Sequence, residues 1–112
     1  MAVEECEFLV EGSAPDPYRV TFHREDGQLT ASCTCPAGER QMHCKHRIRI
    51  LRGSAEGIVS GNGADVSRVV GWLKGSKLQE ALGEFLQSEA AVEEANRRLA
   101  GAKHKLARIM AG

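Results

Sequence analysis

The chain has 112 residues, with 15 Lys and Arg set against 15 Asp and Glu, so its formal charge at pH 7 is zero. That length allows one compact domain and leaves no room for a second independent core; with one Trp, one Tyr and three Phe, the core needs aliphatic residues or a metal staple. No apolar run approaches the ~20 residues of a membrane span and the start lacks a basic-then-apolar leader, so a soluble, cytoplasmic protein without a membrane partner is expected.

The zero sum conceals blocks. Residues 1–39 hold eight acids and two bases, residues 40–52 five bases and no acid, residues 78–94 five acids and no base, and residues 95–112 five bases and no acid. Blocks of this kind predict charged surfaces that meet something, inside the molecule or outside it.

Residues 4–11 alternate, with Cys6, Phe8 and Val10 on one side and Glu5, Glu7, Leu9 and Glu11 on the other, the period-two pattern of a half-buried strand. "GSAPDP" breaks it. Two further strand-like runs, residues 18–24 and 28–33, flank Asp26-Gly27, a pair suited to a tight hairpin turn. The expectation is a three-stranded antiparallel meander.

At the end of the third strand stands "SCTCPAGERQMHCKH", residues 32–46. In a reducing cytosol clustered Cys and His read as metal ligands, and Cys33, Cys35, Cys44 and His46 supply the four soft or borderline donors of a tetrahedral structural Zn²⁺. Cα atoms two apart on a strand are ~6.5 Å from each other, so both Cys33 and Cys35 reach one ion only where the strand ends and curls; Pro36 and Gly38 provide that curl. Cys44 is then expected just before a helix and His46 in its opening turn, because i and i+2 do not share a helix face. His43 is assigned a solvent-facing or supporting role, Cys6 a buried free thiol, and His23 and His104 ordinary surface positions. Four ligands, three of them thiolates, close the shell and point to structure rather than catalysis. No catalytic residue is assigned and no small-molecule substrate is expected.

A basic helix is predicted over residues 45–52 with Gly53 as its stop. Lys45, Arg49 and Arg52 recur at i, i+4 and i+7 on one face, leaving Ile48 and Leu51 to pack inward. Residues 53–63 hold four glycines but lack the Gly-Lys-Ser/Thr end of a phosphate loop, and read as a linker. A short helix over residues 65–74 is expected to bury Val66, Val69, Val70 and Leu73, with Trp72 off that stripe, against the last helix or exposed as a binding anchor. Ser76 caps a final helix reaching about Met110.

In that helix Leu78, Phe85, Val92, Leu99 and Leu106 recur every seventh position, with Ala81, Ser88, Ala95, Ala102 and Ile109 three residues after each. This is an a/d seam with large a and mostly small d residues, assigned to an oligomer interface, with a stripe packed on the chain's own domain as the alternative. The acidic first half and basic second half predict an antiparallel homodimer.

The ordered Cys-x-Cys and Cys-x-His pairs, preceded by a strand with Tyr18-x-Val20 and followed by "KHRIRIL", resemble the SWIM zinc finger family over residues 18–52. The chain is similar to a small standalone bacterial or phage-like member. The resemblance implies Cys33, Cys35, Cys44 and His46 as zinc ligands, and DNA or other proteins as partners. The fold class expected is α+β: residues 1–52 a β-meander with a zinc knuckle and short helix, 53–63 a glycine-rich loop, and 64–112 a helical region. The expected function is a non-enzymatic module presenting a zinc-stabilised surface for protein–protein interaction or regulation, with the heptad helix and Trp72 as further contacts. The alternative is nucleic-acid binding through Arg40, Lys45, Arg47, Arg49 and Arg52; pairing of that basic face with the acidic strands, and a thiol redox switch, remain open beside it.

Overall fold

In a computed structural model, residues 3–112 are described. Three strands, β1 (Val3–Val10), β2 (Tyr18–Glu25) and β3 (Gln28–Cys33), form an antiparallel sheet in the order β1-β2-β3. Among the described residues four α-helices follow, α1 (Pro36–Glu39), α2 (Lys45–Leu51), α3 (Val66–Leu73) and α4 (Lys77–Ala111), with a 3₁₀ turn at Gly63–Asp65 leading into α3. The α+β class and the meander are as the sequence predicts.

The hairpin between β2 and β3 shows why. Asp26 and Gly27 both take positive φ, 51° and 76°, so a two-residue turn with the twist of the strands connects Glu25 to its partner Gln28. That turn fixes the register in which Val20 faces Cys33, and β1 adds Phe8 opposite Val20 and Cys6 opposite Phe22. A register slip of one residue would turn all of these to solvent. Phe8 and Phe22 are fully buried and meet edge to face at 6.0 Å. Each contributes roughly 1.5–3 kcal/mol by burial.

The acids of β1 form ion pairs with β2: Glu7 with Arg19 and Glu5 with His23 on the other sheet face, and Glu4 with Arg24 at the exposed end of the face that carries Cys6 and Phe8. Among the described residues, the ion pairs of these acids lie within the sheet and none reaches the basic helix. On the outer edge of β1, the glycine-rich segment does more than link. Val59 donates to Leu9 O, Glu11 to Gly57 O and Asn62 to Glu7 O, while Ile58 bridges Val10. Residues 57–62 therefore satisfy backbone groups that an edge strand would otherwise leave open to another chain.

In two helices the buried face departs from the expected stripe at single positions. In α2 the buried residues are His46, Ile50 and Leu51, with Ile48 only half-buried. The cause is His46: turning the imidazole inward selects its i+4 neighbour Ile50. In α3 the buried arc runs from Val66 through Val69 to Trp72 and Leu73, and Val70 is at its half-buried rim. Val69 is 0% exposed and Trp72 6%, so Trp72 belongs to the core and is not an exposed anchor.

The chain divides into two compact units, Met1–Glu80 and Ala81–Gly112. The second consists of the continuation of α4. At the start of that helix Ser76 Oγ accepts from Gln79 N–H at 3.2 Å, and Gln79 Oε1 accepts from Gly75 N–H at 2.9 Å. This reciprocal cap satisfies donors the first turn cannot. Along α4 no residue is buried; Val92, Leu99, Leu106 and Ile109 are 53–68% exposed, whereas Leu78 and Phe85 are half-buried. Among the described residues, no helix is long and apolar enough to cross a membrane.

Candidate metal centre

Cys33 is the last residue of β3 and falls on the buried face of the sheet, 5% exposed. Beyond it the strand ends. Thr34 exchanges two hydrogen bonds with Arg19, its N–H donating to Arg19 O and its Oγ1 accepting from Arg19 N–H. Cys35 then caps the single turn of α1, with Pro36 in the first-turn position that needs no N–H. The curl expected from Pro36 and Gly38 is this helical turn.

Gly38 has a specific steric role. A Cβ there would lie 2.3 Å from Cys33 O and 2.8 Å from Cys33 Cβ, so only glycine allows α1 to fold back this tightly on the end of β3. The same fold-back aims Gly38 N–H at Cys35 Sγ, 3.3 Å away, while Cys35 N–H points to Cys33 Sγ at 3.5 Å. Both sulfurs thereby face donors suited to a thiolate. Gln41, at φ 59°, then turns the chain towards α2, with Cys44 at its N-cap and His46 in its first turn.

The four predicted ligand atoms converge. Those of Cys33, Cys35, Cys44 and His46 all lie within 4.8 Å of one another, and all four residues are buried. Cys33 Sγ is 3.8 Å from His46 Nδ1, within a few tenths of an ångström of the roughly 3.5 Å sulfur–nitrogen edge that Zn–S near ~2.3 Å and Zn–N near ~2.0 Å give in a tetrahedron. The Cys₃His cluster is geometrically suited to hold a single Zn²⁺. Cys6 is a buried free thiol away from the cluster, and His43 is not among the converging ligands.

Electrostatics point the same way. Burial, reinforced by the neighbouring sulfurs of Cys35 and Cys44 and eased by the Cys35 N–H, pushes the Cys33 thiol up to about 12. Burial also acts on Cys44, but hydrogen bonds to Arg47 and its charge outweigh it and bring that thiol below its ordinary value. The two sulfurs diverge because only Cys44 has a guanidinium. Burial of the Cys33 thiol disfavours its charged form unless a cation joins it, and a divalent ion bound to the cluster supplies that charge. His46 is held below the usual imidazole range by burial and then by Lys45 and Arg49, which favours the neutral form that binds metal.

Arg47 is placed differently from the other basic candidates: it is half-buried, with Nε donating to Cys44 Sγ at 3.1 Å, Nη1 to Ala31 O at 3.1 Å and Nη2 to Met42 O. It ties β3, the knuckle and α2 together and is committed to the site. A faint signal exists in its i+3 spacing from Cys44, but nothing local distinguishes it from Arg49. Sequence reasoning also missed Tyr18, whose ring lies 5.1 Å from the His46 imidazole and holds it from the side.

The remaining basic candidates behave as expected of a surface. Arg40, Lys45, Arg49 and Arg52 are exposed, and among the described residues none has an acidic partner within ion-pair distance. The thiols are 3–5% exposed, poorly placed for attack by an oxidant from solvent. Comparison with protein-family models, curated proteins and solved structures finds no significant match.

Proposed function

We propose that this chain is a non-enzymatic, SWIM-type zinc-binding module that presents a zinc-stabilised surface to a protein partner. The observation that carries the reading is the buried Cys₃His cluster, which fastens the end of β3 to the start of α2 with a closed set of four donors. A zinc held this way fixes a surface and leaves no vacant coordination position for a substrate. The order Cys-x-Cys then Cys-x-His, with both pairs at the termini of their elements, supports the SWIM assignment. The exposed apolar residues of α4 add a second surface for protein contact, and a second copy of the chain is among the partners it fits. Affinity capture from the native host tests the main reading: a stoichiometric protein that persists after nuclease treatment is expected, and partners that all vanish with nuclease would overturn it.

A nucleic-acid reading is favoured by one specific observation, the absence of acidic partners for Arg40, Lys45, Arg49 and Arg52 among the described residues. If Lys45, Arg49 and Arg52 neutralise phosphates, binding to mixed-sequence duplex DNA weakens steeply with salt. Replacing all three with Ala then lowers the slope of log K against log salt by about 2.7, at ~0.9 per contact. Zinc content remains unchanged, since none of the three is a ligand. An unchanged slope, or no binding by the parent protein at low salt, rejects nucleic acid as the partner of this face.

A further inference from the structure

We infer that α4 pairs with α4 of a second copy of this chain, antiparallel and in one register, in which Val92 of each copy faces Ala95 of the other. The inference rests on the reading of α4 as a protein-contact surface and names the partner.

The first ground is the seam itself. Val92, Leu99 and Leu106 are 60%, 53% and 57% exposed, spaced by sevens on a helix with no buried residue. Such a stripe costs solvation along its length until another helix covers it. The second ground is side-chain size. In an antiparallel pair each a residue faces a d residue of the other helix. With Val92 against Ala95, the same register sets Leu99 against Ser88 and Leu106 against Ala81. Each of these layers matches one large side chain with one small one. A parallel pair instead stacks a on a and d on d, so Ala95 meets Ala95 and Ser88 meets Ser88, leaving gaps between layers of bulk.

Charge decides the direction independently. Flanking positions of an antiparallel pair meet their own kind across the seam, which brings Glu84 of each copy to Lys105 of the other, twice by symmetry. Among the described residues, neither Glu84 nor Lys105 has an ion partner within its own chain, whereas Glu94 already holds Arg97 and Arg98. In a parallel pair the flanking contacts fall five residues apart, setting Glu84 against Glu89 and Arg98 against Lys103, both like-charged. The helix dipole does not account for the arrangement, because its influence fades within the terminal turns and Arg98 is far from either end. The register overlaps α4 over nearly its whole 35 residues, placing the starts of the two helices about 50 Å apart at 1.5 Å per residue.

Light scattering on the full zinc-loaded chain tests this. At about 100 µM, well above a micromolar Kd, the expected mass is twice the 12.1 kDa of one chain; a monomer at that concentration overturns the proposal. Leu99→Asp, at an exposed position, returns the protein to monomer with its zinc retained. The direction is read from charge reversal: Glu84→Lys raises the dimer Kd at least about tenfold, Lys105→Glu does the same, and the double variant restores it. A parallel dimer gives the opposite result, with Glu84→Lys tightening association by relieving Glu89. Zinc content, followed in parallel, reports separately on the metal module, so loss of the dimer and failure of the zinc reading are distinguishable.

Discussion

Cys44→Ser is expected to abolish metal binding and unfold the zinc-bearing unit. Cys44 is 4% exposed and caps α2, which contributes Ile50 and Leu51 to the core. Structural zinc supplies on the order of 10–16 kcal/mol of apparent folding free energy in small zinc-dependent peptides, whereas a whole domain is stable by only about 5–15 kcal/mol. Losing one of four ligands therefore removes an amount comparable to the net stability. Amide exchange should show protection lost at least across residues 18–52, with no cooperative melting transition left for that region. Cys6→Ser is the matched control, since Cys6 is equally buried but outside the cluster. It should cost about 1–3 kcal/mol for a desolvated hydroxyl and keep the metal. Equal effects of the two substitutions would mean that burial alone, and not coordination, is at stake.

A second large effect is expected from one methyl group. Gly38→Ala places a Cβ 2.3 Å from the Cys33 carbonyl oxygen, which is backbone and cannot swing aside. Overpacking of this kind costs about 1–3 kcal/mol, and relief comes only by moving α1 away from β3, which also withdraws the Gly38 N–H from Cys35 Sγ. Zinc affinity should fall together with stability. Gly71→Ala provides the opposite sign: it lies within α3 with nothing within 4 Å of the added carbon, so helix propensity should stabilise the protein by about 0.5–1 kcal/mol. Competition with a chromophoric zinc chelator, alongside thermal melting, separates the two. A Gly38→Ala protein with the parent's affinity and melting temperature would remove the steric role assigned to that turn.

The features legible in the sequence are those written in short-range pattern. Alternation of Cys6, Phe8 and Val10 defines β1, Asp26-Gly27 sets the hairpin, and the paired spacing of Cys33, Cys35, Cys44 and His46 identifies the ligands. Each depends on a strand or helix period, or on turn geometry. What escaped is set by distant partners. The phase of α2 follows from His46 turning to sulfurs that lie on β3 and α1, so Ile50 replaces Ile48 inside. Arg47 has the composition of a phosphate contact, and only the proximity of Ala31 O and Met42 O commits it to the site. Residues 57–62 carry no strand signal, yet they complete the edge of β1, nearly fifty positions earlier, through hydrogen bonds that no local pattern encodes. For Trp72 the sequence leaves a packed and an exposed place open, and the packed one is found, α3 turning its largest side chain inward.

Three sulfurs and one imidazole nitrogen in the first unit of the chain form a site for one Zn²⁺. Zinc-edge X-ray absorption on protein purified without chelators, with metal quantified on the same sample, tests it most directly. The expected result is one zinc per chain, with three sulfur scatterers near ~2.3 Å and one nitrogen near ~2.0 Å. A metal-free protein, or a shell dominated by oxygen and nitrogen, would contradict it.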